Sequence, residues 1–275
     1  MRITKRVVLL IILIANMTLV FGQGKKKQRK GEFYFSWGYN QEWYTRSTIR
    51  VMQPGLGNDY KLVNVEAHDH KGWDEGLFKI ALSIPQYNYR IGYIFDKKRG
   101  LGWEINFDHT KYIVSNQNAH VVGKVNNRQV DTTVAFNQAN GYYYFLNNGA
   151  NFLLFNLTKR WHVYQSKDEN IKIDAFGKAG IGPLIPHVQN RLSIDAADSA
   201  NTPHFQLGGW NVGAEAAVRA TIFNHTYLEF ANKLDFASYS GLKMYQGRAR
   251  QMFGTYELIL SIGYTFPMGH RGVDN

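Results

Sequence analysis

Thr255 to Phe266 reads TYELILSIGYTF, and its alternation decides the fold. Successive side chains of an extended strand point to opposite faces. Tyr256, Leu258, Leu260, Ile262, Tyr264 and Phe266 therefore share one face, opposite Thr255, Glu257, Ser261, Gly263 and Thr265, with Ile259 as the apolar exception. A soluble sandwich also alternates, but its strands need not be this long. Sustained alternation over roughly ten residues is what a tilted strand needs to cross a bilayer.

The pattern recurs upstream. Tyr87, Tyr89, Ile91, Tyr93 and Phe95 oppose Asn88, Arg90 and Gly92, with Ile94 as the exception. Leu101, Trp103, Ile105 and Phe107 oppose Gly102, Glu104, Asn106 and Asp108. Between Trp210 and Ile222 the even positions are apolar, against Asn211, Glu215, Arg219 and Thr221. Leu228, Phe230, Leu234 and Phe236 oppose Tyr227, Glu229, Lys233 and Asp235, and Asn232 is polar on the apolar side. Trp and Tyr near the segment ends match interfacial girdles. With 17 Tyr, 17 Phe, 6 Trp and 26 Gly, the composition favours strands over helices.

These segments predict an all-β chain: a transmembrane, antiparallel, up-and-down β-barrel of eight strands with the polar faces turned into the lumen. The strands are expected near Phe33 to Thr45, Gln86 to Phe95, Leu101 to Val114, Ala150 to Val163, Ile171 to Val188, Gly208 to Phe223, Thr226 to Tyr239 and Gln251 to Phe266. Short turns (Asp96 to Gly100, Tyr164 to Asn170, Asn224 to His225) alternate with long connections (Arg46 to Pro85, Ser115 to Gly149, Gln189 to Leu207, Ser240 to Arg250). Short periplasmic turns and long extracellular loops are the expected asymmetry, with both termini in the periplasm.

The N-terminus sets the compartment. Arg2, Lys5 and Arg6 precede a mostly apolar run from Val7 to Phe21 that ends at Gly22, the pattern of a secretory signal peptide over residues 1–22. A basic periplasmic leader (23–31), the barrel (32–266) and a periplasmic tail (267–275) follow. Of the net charge of +11, three charges lie in the signal and five in Lys25, Lys26, Lys27, Arg29 and Lys30, which leaves only +3 from Gly31 onward. That distribution argues against nucleic-acid binding. The absence of cysteine excludes lipoprotein anchoring and disulfides.

From Phe33 to Phe266 the chain resembles the small eight-stranded bacterial outer-membrane barrels, and its loop style is similar to uncharacterised barrel proteins of Bacteroidetes-type bacteria. The final strand carries the most specific likeness. Tyr256, Leu258, Leu260, Ile262, Tyr264 and Phe266 resemble the aromatic-ended signal read by the barrel assembly machinery, although here Pro267 to Asn275 follow it. The resemblance implies outer-membrane lipids, lipopolysaccharide among them, as surroundings.

Such barrels serve many functions, so the side chains must decide. The inward set comprises Glu42, Arg90, Glu104, Asp108, Asp174, Lys178, Glu215, Arg219, Glu229, Lys233, Asp235 and Glu257. Unpaired buried charge is costly, so the four bases should sit between carboxylates, with water or protonation absorbing the acidic excess. His109 is a rim candidate for lipid A chemistry, since the lipid A deacylases and palmitoyltransferases share this architecture. Alternation, however, points Asp108 and His109 to opposite faces, and no serine beside His109 matches the deacylase pattern. His68, Asp69 and His70, with Asp74 and Glu75 nearby, are weak candidates for a divalent cation, because His-x-His lacks a defined third ligand. Gly177, Gly180 and Gly182 reflect close strand packing, not a phosphate loop, because no helix follows. The expectation is a structural or surface-interaction barrel with a plugged, charged lumen, no cofactor, and long loops available to a surface partner. The alternatives are a lipid A-modifying enzyme and a narrow channel or small-ligand carrier.

Overall fold

The structure, a computed structural model, describes residues 31–70, 86–146, 149–192 and 201–267. The signal peptide, nearly all of the leader and tail, and Asp74 and Glu75 lie outside the described residues. In chain order the strands are β1 (Glu32–Tyr44), β2 (Ser47–Gln53), β3 (Asn58–Val65), β4 (Ala67–His68), β5 (Tyr87–Asp96), β6 (Leu101–Asp108), β7 (Tyr112–Val114) and β8 (Gln117–Val125). Then come β9 (Arg128–Phe136), β10 (Tyr143–Leu146), β11 (Phe152–Gln165), β12 (Ile171–Leu184), β13 (Gln189–Arg191), β14 (Gly209–Ile222), β15 (Thr226–Met244) and β16 (Gly247–Pro267).

Eight of them close a ring. The order is β1-β5-β6-β11-β12-β14-β15-β16, every neighbouring pair is antiparallel, and β16 returns to β1 with Phe33 opposite Phe266 and Trp43 opposite Tyr256. Closure removes the unpaired edges that an open sheet would expose. Outward residues are apolar and exposed, among them Phe155, Leu157, Val218, Leu234, Leu260 and Ile262, while the inward positions carry buried polar groups. This inside-out pattern defines a barrel of the transmembrane type. The polar exception, Asn232, is satisfied on the outer face by the Tyr256 hydroxyl, which donates to its Oδ1 at 2.6 Å. The apolar exceptions Ile94 and Ile259 are buried inside with Tyr34, Phe176 and Tyr227.

The long connections differ from the solvated loops expected of them. The third segment stops at Asp108, and Tyr112–Val114 leaves the wall as β7 to join a separate four-stranded sheet of order β13-β10-β7-β4. The expected loop Ser240 to Arg250 is mostly strand: β15 and β16 run on past the ring and turn at Tyr245 and Gln246. β2 prolongs β1 along β16, and β3, β8 and β9 extend the same sheet outward. The β8–β9 turn places Asn126 and Asn127 at φ 50° and 63°, which suits the tight hairpin turn that asparagine tolerates. The two sheets enclose Ile49, Val51, Leu62, Tyr112, Tyr144 and Leu146, all at zero exposure. A folded cap with its own apolar core therefore stands on one end of the barrel.

Candidate functional site

All twelve charged side chains read as inward are buried. Ten of them form two clusters, and Glu42 and Asp174 stand apart. In the first, Arg90 meets Glu215 at 2.7 Å and Glu104 at 3.3 Å, and Lys178 meets Glu104, Glu229 and Glu215 at 2.8, 2.9 and 3.0 Å. Arg219 meets Glu229 at 2.6 Å. Three cations face three carboxylates here, so this cluster is neutral. In the second, the Lys233 ammonium is gripped by Asp108 at 2.5 Å, Asp235 at 2.7 Å and Glu257 at 3.4 Å. Arg90 also reaches Asp108, at 3.7 Å, and links the two clusters. At low dielectric such pairs are strong but offset a large desolvation cost, so breaking one costs more than forming it gained.

Arg219 departs from the expectation of a base between carboxylates. It has one carboxylate partner and three rings, its guanidinium carbon lying 3.9 Å from the Tyr227 centroid and 4.3 Å from those of Tyr34 and Phe176. Cations are drawn to ring faces, most strongly when desolvated. This clamp sits one inward position above Thr221, at the end of the ring where the short turns lie. Below it a cavity of about 590 Å³ is lined by Glu32, Arg160, His162, Asp174, Thr221 and Thr265. Asp174 faces His162 there, Oδ1 to Nδ1 at 3.0 Å.

A second aromatic cluster lies at the cap end. Phe253 packs on Tyr112, Tyr44 and Tyr239 at 4.5, 5.5 and 5.5 Å between centroids. Tyr112 shares a 2.9 Å hydrogen bond with Ser47, and Tyr239 donates to the carbonyl of Ala150 at 2.9 Å. Glu42 is held there by hydrogen bonds: Asn40 donates to it at 2.7 Å and Tyr44 also donates to it. The sequence reading placed Arg219 inside but missed the rings of the clamp and of the cap-end cluster, apart from Tyr227, read only as an inward position. Aromatics on an otherwise polar face were the available signal.

The other candidates separate. His109 stacks on Tyr87 at 4.6 Å and its Nδ1 lies 2.8 Å from Asn151 Oδ1; among the described residues no serine is hydrogen-bonded to it. His68 Nδ1 meets Ser115 Oγ at 2.8 Å, whereas Asp69 turns to the barrel rim and accepts from the Glu42 amide at 3.0 Å. The proposed metal triplet is thus divided, and among the described residues no three acidic or imidazole groups converge as metal ligands. At Gly182 a Cβ would come within 1.9 Å of the Leu153 carbonyl oxygen, so close strand approach requires glycine there.

A closed antiparallel ring, apolar outside and ion-paired inside, belongs to the class of membrane-spanning β-barrels. No protein-family model matches the chain, and comparison with curated proteins found no match either. Among solved structures it is similar to OprG of Pseudomonas aeruginosa (11% identity, 87% of this chain and 97% of that one, TM-score 0.39). It is also similar to the protease OmpT of Escherichia coli (8%, 87% and 98%, 0.40). A third is Ail, the attachment invasion locus protein of Yersinia pestis, solved with the heparin analogue sucrose octasulfate (10%, 86% and 99%, 0.31).

Proposed function

We propose that this protein is a bacterial outer-membrane barrel, exported by a cleaved signal peptide, whose lumen is a structural plug and whose folded cap is the contact surface outside the cell. The observation that supports the reading is the pair of aromatic clusters, one toward each end of the lumen. A guanidinium wedged among Tyr34, Phe176 and Tyr227 lies toward one end, the Phe253 aromatic cluster lies toward the other, and ion pairs occupy the space between. Eight strands leave room for little beyond their own inward side chains, which supports a plug over a channel or carrier. The short turns and the Glu32–Pro267 end face the periplasm, and the cap faces outward. Insertion relies on the aromatic-ended β16 as the signal for the assembly machinery. No observation at His109 favours lipid A chemistry over this reading.

Planar-bilayer recording tests it. Purified protein should give no stable single-channel current, and large, long-lived conductance steps would show an open lumen and overturn the plug.

A further inference from the structure

The outward face of the wall changes character above its aromatic belt. On β16 the side that carries Leu260 and Tyr256 continues through Met252 to Arg250 and Arg248. Cross-strand register places Arg250 opposite Arg50 on β2, and Arg50 opposite Lys61 on β3. In the neighbouring row Arg248 is opposite Lys243 on β15. All five side chains are exposed, while Ile49, Val51, Leu62 and Ala249 occupy the buried side of the same sheet.

Asp59 answers Arg50 directly and also lies in the field of Lys61 and of Lys124, opposite it on β8. It accepts from Arg50 Nε at 3.0 Å and Nη2 at 2.9 Å, and those hydrogen bonds hold its carboxyl below the usual carboxylate range. Among the described residues Lys61, Lys243, Arg248 and Arg250 form no ion pair. Like charges directly opposite one another destabilise a sheet. Nothing in the packing of an exposed face calls for them, so the row is a standing cost that a bound anion would remove.

Its height identifies the anion. Arg250 is six positions along the strand from Tyr256, which at the rise and tilt of barrel strands is about 15 Å above the belt. The belt itself marks the headgroup level, so the row stands above the acyl chains and within the sugar-phosphate layer that a glycolipid leaflet extends outward from the belt, on the surface that continues directly from the lipid-facing wall. We propose that Lys243, Arg248, Arg250, Arg50 and Lys61 bind the phosphates of glycolipids in the outer leaflet around the barrel. The inference rests on the outer-membrane reading and its cap-out orientation, and adds a lipid-recognition site to it.

The test uses the full mature chain refolded in zwitterionic detergent micelles, with binding counted by native mass spectrometry. The probes are bisphosphorylated lipid A, the same lipid stripped of phosphate, and heparin as a soluble polyanion. The K61Q/R248Q/R250Q variant should bind the bisphosphorylated lipid on the order of tenfold to a hundredfold more weakly than wild type, and the stripped lipid equally. Its melting temperature in detergent alone should not fall, because the substitutions relieve repulsion. Lys61→Glu, on the hairpin and away from the barrel wall, should weaken binding by itself and covers the case of a misfolded triple variant. Undiminished binding by both variants would overturn the site. Heparin binding to wild type as tight as the lipid's would replace the lipid with a soluble polyanion. Failure of the wild type to show heat-modifiable migration in vesicles would count instead against the barrel reading.

Discussion

Arg219 shows how much a single side chain can depend on its surroundings. It is 2% exposed, surrounded by three rings and bound to Glu229, which would keep Lys178 as its one remaining cation among the described residues once the guanidinium is gone. Arg219→Leu should therefore destabilise the barrel by about 3–5 kcal/mol, the range for breaking a buried pair from one side. Arg219→Lys should recover only part of this, since an ammonium lacks the plane that stacks on Tyr34, Phe176 and Tyr227. Arg128→Ala, at an exposed hairpin, should stay within about 0.5 kcal/mol of wild type. Urea unfolding in lipid vesicles, followed by heat-modifiable migration, measures all three. Equal losses for Arg219 and Arg128 would show that the clamp adds nothing.

At the scale of an element, β16 combines three environments along one side. Leu260 is 53% exposed in the middle of the span, Tyr256 lies at the belt, and Met252 stands two outward positions further on. The free energy of placing a charge follows that depth. Leu260→Arg should cost about 2–4 kcal/mol and Met252→Arg about 0–1 kcal/mol, although both replace an exposed apolar residue on the same strand face. Reversible unfolding in vesicles should reproduce that order. If Met252→Arg proved the costlier, the belt would have to be moved toward the cap.

At the scale of the whole molecule the prediction is orientation. The native chain has no cysteine, so single introduced thiols report position without interference. Gly55 lies at the β2–β3 connection, where an added Cβ meets nothing closer than 3.8 Å, and Lys98 lies in the short turn between β5 and β6. A membrane-impermeant maleimide should label Gly55→Cys on intact cells and label Lys98→Cys only after the outer membrane is opened. The reverse result would invert the topology.

Period-two alternation is a property of the extended backbone alone, so the sequence by itself determined which side chains share a face: Leu260 with Tyr256, Glu257 with Ser261, Lys233 with Asp235. Continuity of that pattern over wall-length segments also determined the class of fold. Pairing inside the lumen was not legible, because it depends on stagger between strands far apart in the chain. Lys233 meets Asp108 across 125 positions, and Arg90 meets Glu215 across another 125. The cap was hidden for a related reason. Ile49 and Val51, Leu62, Tyr112, and Tyr144 with Leu146 lie on separate short strands that cannot bury their apolar sides alone, and only tertiary structure brings those sides together over the mouth of the ring.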